Sequence, residues 1–171
     1  LIKKDLTANH LSHANWLGIR QLKDPPEITG KVLWVDALFG LAQSRPLPQL
    51  TANLFKERQI KRPGHLVSLD VPSGICSDSG KPFDGGAASA VFTLTVGLTK
   101  QGLVQDVAMP YVGRVVRIDI GSPLAVFDDC LKLLPLSIAA SDLATIRWPQ
   151  TALAASKYQR GRVLVVAGSN K

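Results

Sequence analysis

Two short apolar runs, Val32-Leu-Trp-Val35 and His65-Leu-Val-Ser-Leu69, each stop on an aspartate, Asp36 and Asp70. Runs this short and this continuously apolar read as strands of a parallel sheet, where both faces are covered. Between them Leu47, Leu50, Leu54 and Phe55 recur at helical spacing up to about Lys61, and Pro63-Gly64 breaks the pattern. A strand, a helical crossover and a second strand make the repeating unit of an open α/β sheet with helices on both faces. In such sheets a ligand binds beyond the carboxyl ends of the strands, and both aspartates fall there.

The rest of the chain extends this reading. Residues 1 to 23 carry Leu11, Ala14, Trp16, Leu17 and Ile19 at loosely helical spacing, and Asp24-Pro25-Pro26 stops them. Gly30 precedes the first strand. A polar Gly/Ser/Asp/Pro stretch runs from Gly74 to Gly86, and two further strands are expected over Ala90 to Val96 and Arg114 to Ile120. From Gly121 to about Ser156 the strand pattern lapses, with Asp128-Asp129, Pro135 and Trp148-Pro149 punctuating short apolar stretches. A strand at Val163 to Ala167 then opens what reads as a new unit. The start at Leu1 without Met and the stop at Lys171 just after that strand suggest an internal segment of a longer polypeptide.

Composition mainly excludes. With 46% hydrophobic residues over 171 positions the chain can bury a core. No apolar run approaches the roughly 18 to 20 residues of a membrane-spanning helix, so no membrane is expected. The formal charge of +7 would suit a polyanion, but the basic residues are scattered without runs or interleaved aromatics, and nucleic acid is not expected. Cys76 and Cys130 form no CxxC and read as packing thiols in a reducing compartment.

Several motifs fail on their spacing. A Ser/His/Asp hydrolase from Ser73, His65 and Asp70 would need the last two close, yet one opens the strand and the other ends it, about 16 Å away at strand rise. No GxSxG is present. Gly74 to Lys81 misses the phosphate-loop pattern by one residue, and Lys81 is followed by Pro82. His10 and His13 could share a helix face and a metal, but with no third ligand nearby they read as surface histidines. Lys100 follows the third strand and either reaches a phosphate or is a solvated loop lysine. The bland reading of Asp36 and Asp70 is a helix cap or turn carboxylate, and of Ser73 a turn hydroxyl.

Taken in order, Val35-Asp-Ala-Leu-Phe-Gly40, Ser44-Arg-Pro46, Ser68-Leu-Asp-Val-Pro-Ser-Gly74, Thr95-Val-Gly-Leu-Thr-Lys100 and Ile118-Asp-Ile-Gly-Ser-Pro123 resemble the NAD(P)H-hydrate epimerase family. The likeness covers roughly Gly30 to Pro123. Gly161-Arg-Val-Leu-Val-Val-Ala-Gly-Ser169 resembles the junction, in bifunctional members, to an ADP-dependent NAD(P)H-hydrate dehydratase domain of ribokinase-like fold.

The resemblance implies an incomplete Rossmann-like three-layer sheet in residues 1–123, a connector in 124–156 and the start of the dehydratase domain in 157–171. It implies Asp36 and Ser73 as ligands of a potassium ion, and the loop Gly40, Leu41, Ala42, Gln43, Ser44, Arg45 and Pro46 against the substrate, hydrated NADH or NADPH. It implies Asp70 at the hydrated nicotinamide as the catalytic residue. ADP is the co-substrate implied for the dehydratase, a homo-oligomer stays open, and the implied compartment is the cytoplasm. Leu41-Ala-Gln43 departs from the family, which usually carries a further Gly there. A non-catalytic nucleotide- or protein-binding module and an unrelated kinase-like α/β enzyme remain the alternative readings. Taken alone, the segment is expected to be inactive.

Overall fold

The computed structural model describes residues 5–28, 32–123, 125, 127, 138, 140–147, 151–162 and 164–166. The chain divides into two compact units, Leu1–Ser122 and Pro123–Lys171. The first holds a four-stranded sheet in which spatial order follows chain order, β1-β2-β3-β4, every pair parallel. The strands are β1 (Trp34–Asp36), β2 (Leu66–Leu69), β3 (Phe92–Val96) and β4 (Arg114–Ile118). All four overlap the expected runs, shortened at their ends except that β1 takes in Asp36, and the fold is α/β.

Helix α1 (Asp5–Trp16) precedes the sheet and buries none of its residues. His10 and His13 are exposed on it, and the His13 ring stacks on Trp16 at 5.6 Å, as expected of surface histidines. Helix α2 (Gln49–Lys61) forms the β1–β2 crossover. Its apolar side differs from the expected one: Ala52, Phe55 and Arg58 are buried, while Leu50 is 81% exposed. Ala52 is small enough to bring the helix close to the sheet, and Phe55 fills the layer with Leu47, Leu66, Ala88 and Ala90. Arg58 is buried because its guanidinium donates to the Arg62 carbonyl, to Gln59 Oε1 and to the Ser89 carbonyl. An apolar count does not register a charged residue whose stem packs and whose head is satisfied. Burial also draws its pKa below the usual arginine value.

After β3 come two 3₁₀ turns, Gln101–Val104 and Asp106–Ala108, and the short helix α3 (Met109–Val112). They pack Leu103, Ala108 and Val112 against Val71 and Ile75 in a second apolar cluster. Chain reversal into β4 depends on Gly113, at φ 54°, where a Cβ would lie 2.3 Å from the Val91 carbonyl oxygen.

Residues in register on parallel strands share a face. On one face Trp34, Leu66, Ser68, Thr93 and Thr95 lie under α2 and the loops. The opposite face carries Val35, Leu69, Phe92, Val96, Val116 and Ile118, all exposed, Val35 by 58%. The expectation of helices on both faces is therefore corrected: among the described residues one face is covered by a helix, while the other is partly exposed, with Val67 and Leu94 half-buried on it. Strand patterning signals burial on both sides but not which segment supplies the cover.

The second unit contains a short helix α4 (Ala140–Thr145) with no buried residue. The strand expected at Val163 to Ala167 does not form over the described residues 164–166, and Leu164, Val165 and Val166 are exposed. A β run needs a paired neighbour, and none of the described residues supplies one. Positions 163 and 167–171 lie outside the described residues, as do Gly30, Cys130, Asp128-Asp129, Pro135 and Trp148-Pro149. No described helix is long and apolar enough to cross a membrane.

Candidate functional site

The first two strands run out at the same edge of the sheet, and each delivers its aspartate there. Asp36, the last residue of β1, is 2% exposed. A buried carboxylate must be compensated, and here hydrogen bonds do so. Its Oδ1 accepts the Ser73 hydroxyl at 2.6 Å and the Leu38 N–H at 3.4 Å. Its Oδ2 accepts the Ser73 N–H at 2.7 Å and the Ser68 hydroxyl at 3.1 Å. No lysine or arginine among the described residues pairs with it. The Ser73 hydroxyl also accepts the Phe39 N–H at 3.2 Å.

Asp70 follows β2 and is the one non-glycine residue with positive φ among those described, at 68°. Asp tolerates this left-handed conformation better than most residues, at a cost that surrounding contacts must cover. Its N–H donates to the Leu94 carbonyl at 2.8 Å, and the next N–H, Val71, already turns back to the Leu69 carbonyl. The side chain is held at both oxygens. Oδ2 accepts the Leu41 N–H at 3.2 Å, and Oδ1 accepts the Val96 N–H at 3.3 Å and is ion-paired with the Lys100 ammonium.

The loop from Gly40 to Pro46 is fastened to the 70–77 segment along its length. Besides the Leu41 N–H on Asp70, the Leu41 carbonyl accepts the Ser77 hydroxyl at 3.2 Å. Gln43 Oε1 accepts the Gly74 N–H at 2.9 Å while its Nε2 donates to the Arg45 carbonyl. Gln43 thus acts as a side-chain clamp within the loop. Leu41, Ala42, Ser44, Arg45 and Pro46 are exposed; Gly40 and Gln43 are half-buried.

The structure therefore brings Asp36, Ser73, Asp70 and Gly40 to Gln43 together, through the 38–43 backbone. It does not bring the Arg45 guanidinium onto either carboxylate. Both readings of Lys100 are corrected. It is neither a solvated loop lysine nor free for a phosphate, because its side chain is only 12% exposed and its ammonium is fully engaged. Cys76 is a free, half-buried thiol whose pKa is drawn down by the Ser79 hydroxyl, then by the Ser79 and Asp78 N–H groups. Composition and spacing did not point to Ser68, Ser77 or Gln43. The signal for Ser68 was available, since it alternates with Leu66 toward the face that holds Asp36.

Gly40 has a specific reason to lack a side chain. A Cβ there would sit 2.8 Å from Asp70 Oδ2, against a carboxylate already fixed on three sides. Gly40→Ala is expected to push that carboxylate off the Leu41 N–H. The variant should keep its melting temperature within about 4 °C, the shift for one lost hydrogen bond. A much larger fall would show that the close approach secures more of the fold than that single contact.

An all-parallel α/β sheet whose strand ends gather two anchored carboxylates and a clamped loop defines a protein with its site at the carboxyl edge. The family described as YjeF-related protein N-terminus matches residues 2–102, and the chain belongs to it. It is similar to the bifunctional NAD(P)H-hydrate repair enzyme Nnr of Gloeobacter violaceus, 36% identical over 177 residues, covering 98% of this chain and 34% of that protein. The Nnr of Thermosynechococcus vestitus is 34% identical over 172 residues, covering 98% of this chain and 33% of its own length. A protein named NAD(P)H-hydrate epimerase, from Limosilactobacillus fermentum, is 36% identical over 96 residues, which are 56% of this chain and 45% of that one. The chain thus spans about one third of the length of the bifunctional relatives it matches.

Proposed function

We propose that residues 1–123 are the C-terminal part of an NAD(P)H-hydrate epimerase domain, Rossmann-like and three-layered when whole. The polypeptide that carries them interconverts the R and S forms of hydrated NADH and NADPH. Residues 124–156 serve as a connector, and 157–171 begin an ADP-dependent dehydratase domain of ribokinase-like fold that acts on the S form. The observation that carries this reading is Asp70: a carboxylate in a strained backbone position, beside a clamped loop, at the sheet edge where ligands bind. The names of the relatives supply the substrate class.

The chemistry suits one carboxylate. In the hydrate, C6 of the nicotinamide ring bears both the ring nitrogen and a hydroxyl, so the centre can lose its oxygen with help from the nitrogen lone pair and regain it from the other face. Asp70 gives a proton to the departing oxygen and takes one from the returning water, so no net proton is consumed. The Gly40 to Pro46 loop orients the nucleotide, and the tie from Asp70 to Leu41 fixes the distance between proton donor and bound ring.

A potassium ion fits the Asp36 and Ser73 pair by donor chemistry. The ligands are all hard oxygen, and among the described residues no cationic side chain pairs with the buried carboxylate. The long Leu38 contact leaves Oδ1 its least engaged position, and the Ser73 hydroxyl retains a lone pair. Bound there, the ion would supply a positive charge for nucleotide oxygens.

The test is to give the complete polypeptide a purified R or S hydrate in potassium or choline chloride and follow the two forms chromatographically. Approach to a common R/S mixture, faster in potassium, is expected. A hydrate that stays in its starting form would refute the reading and favour a non-catalytic module.

A further inference from the structure

We propose that Lys100 is a positioning residue for Asp70: its ammonium, seated on Thr95 Oγ1 and the Val96 carbonyl, holds the Asp70 carboxylate in place beside the loop that begins at Gly40. The inference rests on the reading of Asp70 as the group that faces the hydrated ring. Lys100 lies outside β3 at the same edge of the sheet as Asp36 and Asp70. An ammonium has three N–H donors and no acceptor. Those donors have three acceptors: Asp70 Oδ1, the Val96 carbonyl at 2.8 Å and Thr95 Oγ1 at 3.2 Å. Two of them are fixed by β3 itself, since Thr95 is fully buried and Val96 ends the strand. The cation is thus built into the third strand and presented to the residue that ends the second.

The arrangement answers a mechanical need. Asp70 sits in the left-handed region, and its two backbone-derived anchors, the Leu41 and Val96 N–H groups, are 3.2 and 3.3 Å long. Hydrogen bonds of that length hold weakly, and a charge-assisted partner is shorter and stronger. Lys100 supplies the one strong contact that fixes the carboxylate. A phosphate-binding role would require a donor turned outward, and all three are already engaged.

The experiment compares wild type, Lys100→Met, Lys100→Arg, Asp70→Asn and the Asp70→Asn, Lys100→Met double variant, all in the complete polypeptide, by R/S interconversion kinetics and by thermal melting. Lys100→Met is expected to lower kcat by about 100-fold, the size of a misplaced reacting group, with KM unchanged. Lys100→Arg, which keeps charge and donors, recovers part of that loss. In the Asp70→Asn background Lys100→Met adds no further loss, because the residue acts through Asp70. Unchanged kcat, or a loss confined to KM, would overturn the proposal; the latter would make Lys100 a substrate ligand. Melting separates this from failure of the epimerase reading. Even where wild type interconverts nothing, Lys100→Met is expected to lower the melting temperature by about 2 to 4 °C with Asp70 present and not with Asn there, and equal shifts in both backgrounds would refute the pairing.

Discussion

Asp70→Asn in the complete polypeptide is expected to slow R/S interconversion by about 10²- to 10⁴-fold, the range of a lost general acid–base group. The amide keeps the size of the side chain but cannot carry a proton back and forth. It also disturbs the anchoring. The Asp70 oxygens accept from Leu41, Val96 and Lys100, so an NH₂ group would have to face a donor on one side. Asp70→Glu offers a useful contrast: it retains the carboxylate, but its longer arm cannot meet Leu41 and Lys100 from the same backbone position. Partial activity in Glu with loss in Asn would support the proton role. Full activity in Asn would move the chemistry elsewhere.

The second large effect is on stability. Asp36→Asn leaves the buried N–H of Ser73 and two serine hydroxyls competing for one amide oxygen, while the new NH₂ faces the Ser73 N–H or the Leu38 N–H. The cost is expected to be about 3 to 5 kcal/mol, the upper end for a buried polar network left half-satisfied. That corresponds to a fall of about 12 to 20 °C in the melting temperature of this unit. Potassium should raise the melting temperature of the wild-type polypeptide relative to choline, and the variant should lose that increment. Equal potassium stabilisation in both would place the ion elsewhere, and an unchanged melting temperature would mean the carboxylate is not the clamp its four donors suggest.

The strands were legible because four short apolar runs are separated by Gly/Pro breaks, and the two terminal aspartates were legible because each run ends on one. The parallel pairing of β1 with β2 followed from the helix between them, whereas the links to β3 and β4 carry no such pattern. The α2 face was not legible: an apolar count favours Leu50, whereas the sheet accepts Ala52 and the stem of Arg58. The partners of Gln43 and Lys100 were obscured for a related reason. A polar residue in a loop has no periodicity, and its partners, Gly74 for one and Asp70 for the other, lie about 30 residues distant, at separations of 31 and 30. Parallel pairing of β1, β2 and β3 is what makes those separations short in space. The Val163 to Ala167 run has strand composition without a strand at 164–166, since pairing depends on a neighbour that local pattern does not contain.

The uncovered side of the sheet bears on how the molecule behaves in solution. Val35, Leu69, Phe92, Val96, Val116 and Ile118 expose apolar surface on one plane across all four strands, beside the half-buried Val67 and Leu94, and water is a poor solvent for such a plane. A polypeptide cut to these 171 residues should enhance the fluorescence of an amphiphilic naphthalene-sulfonate dye, and Phe92→Lys should quench that signal and improve solubility. In a cell the same plane would attract chaperones until another layer of protein lies over it.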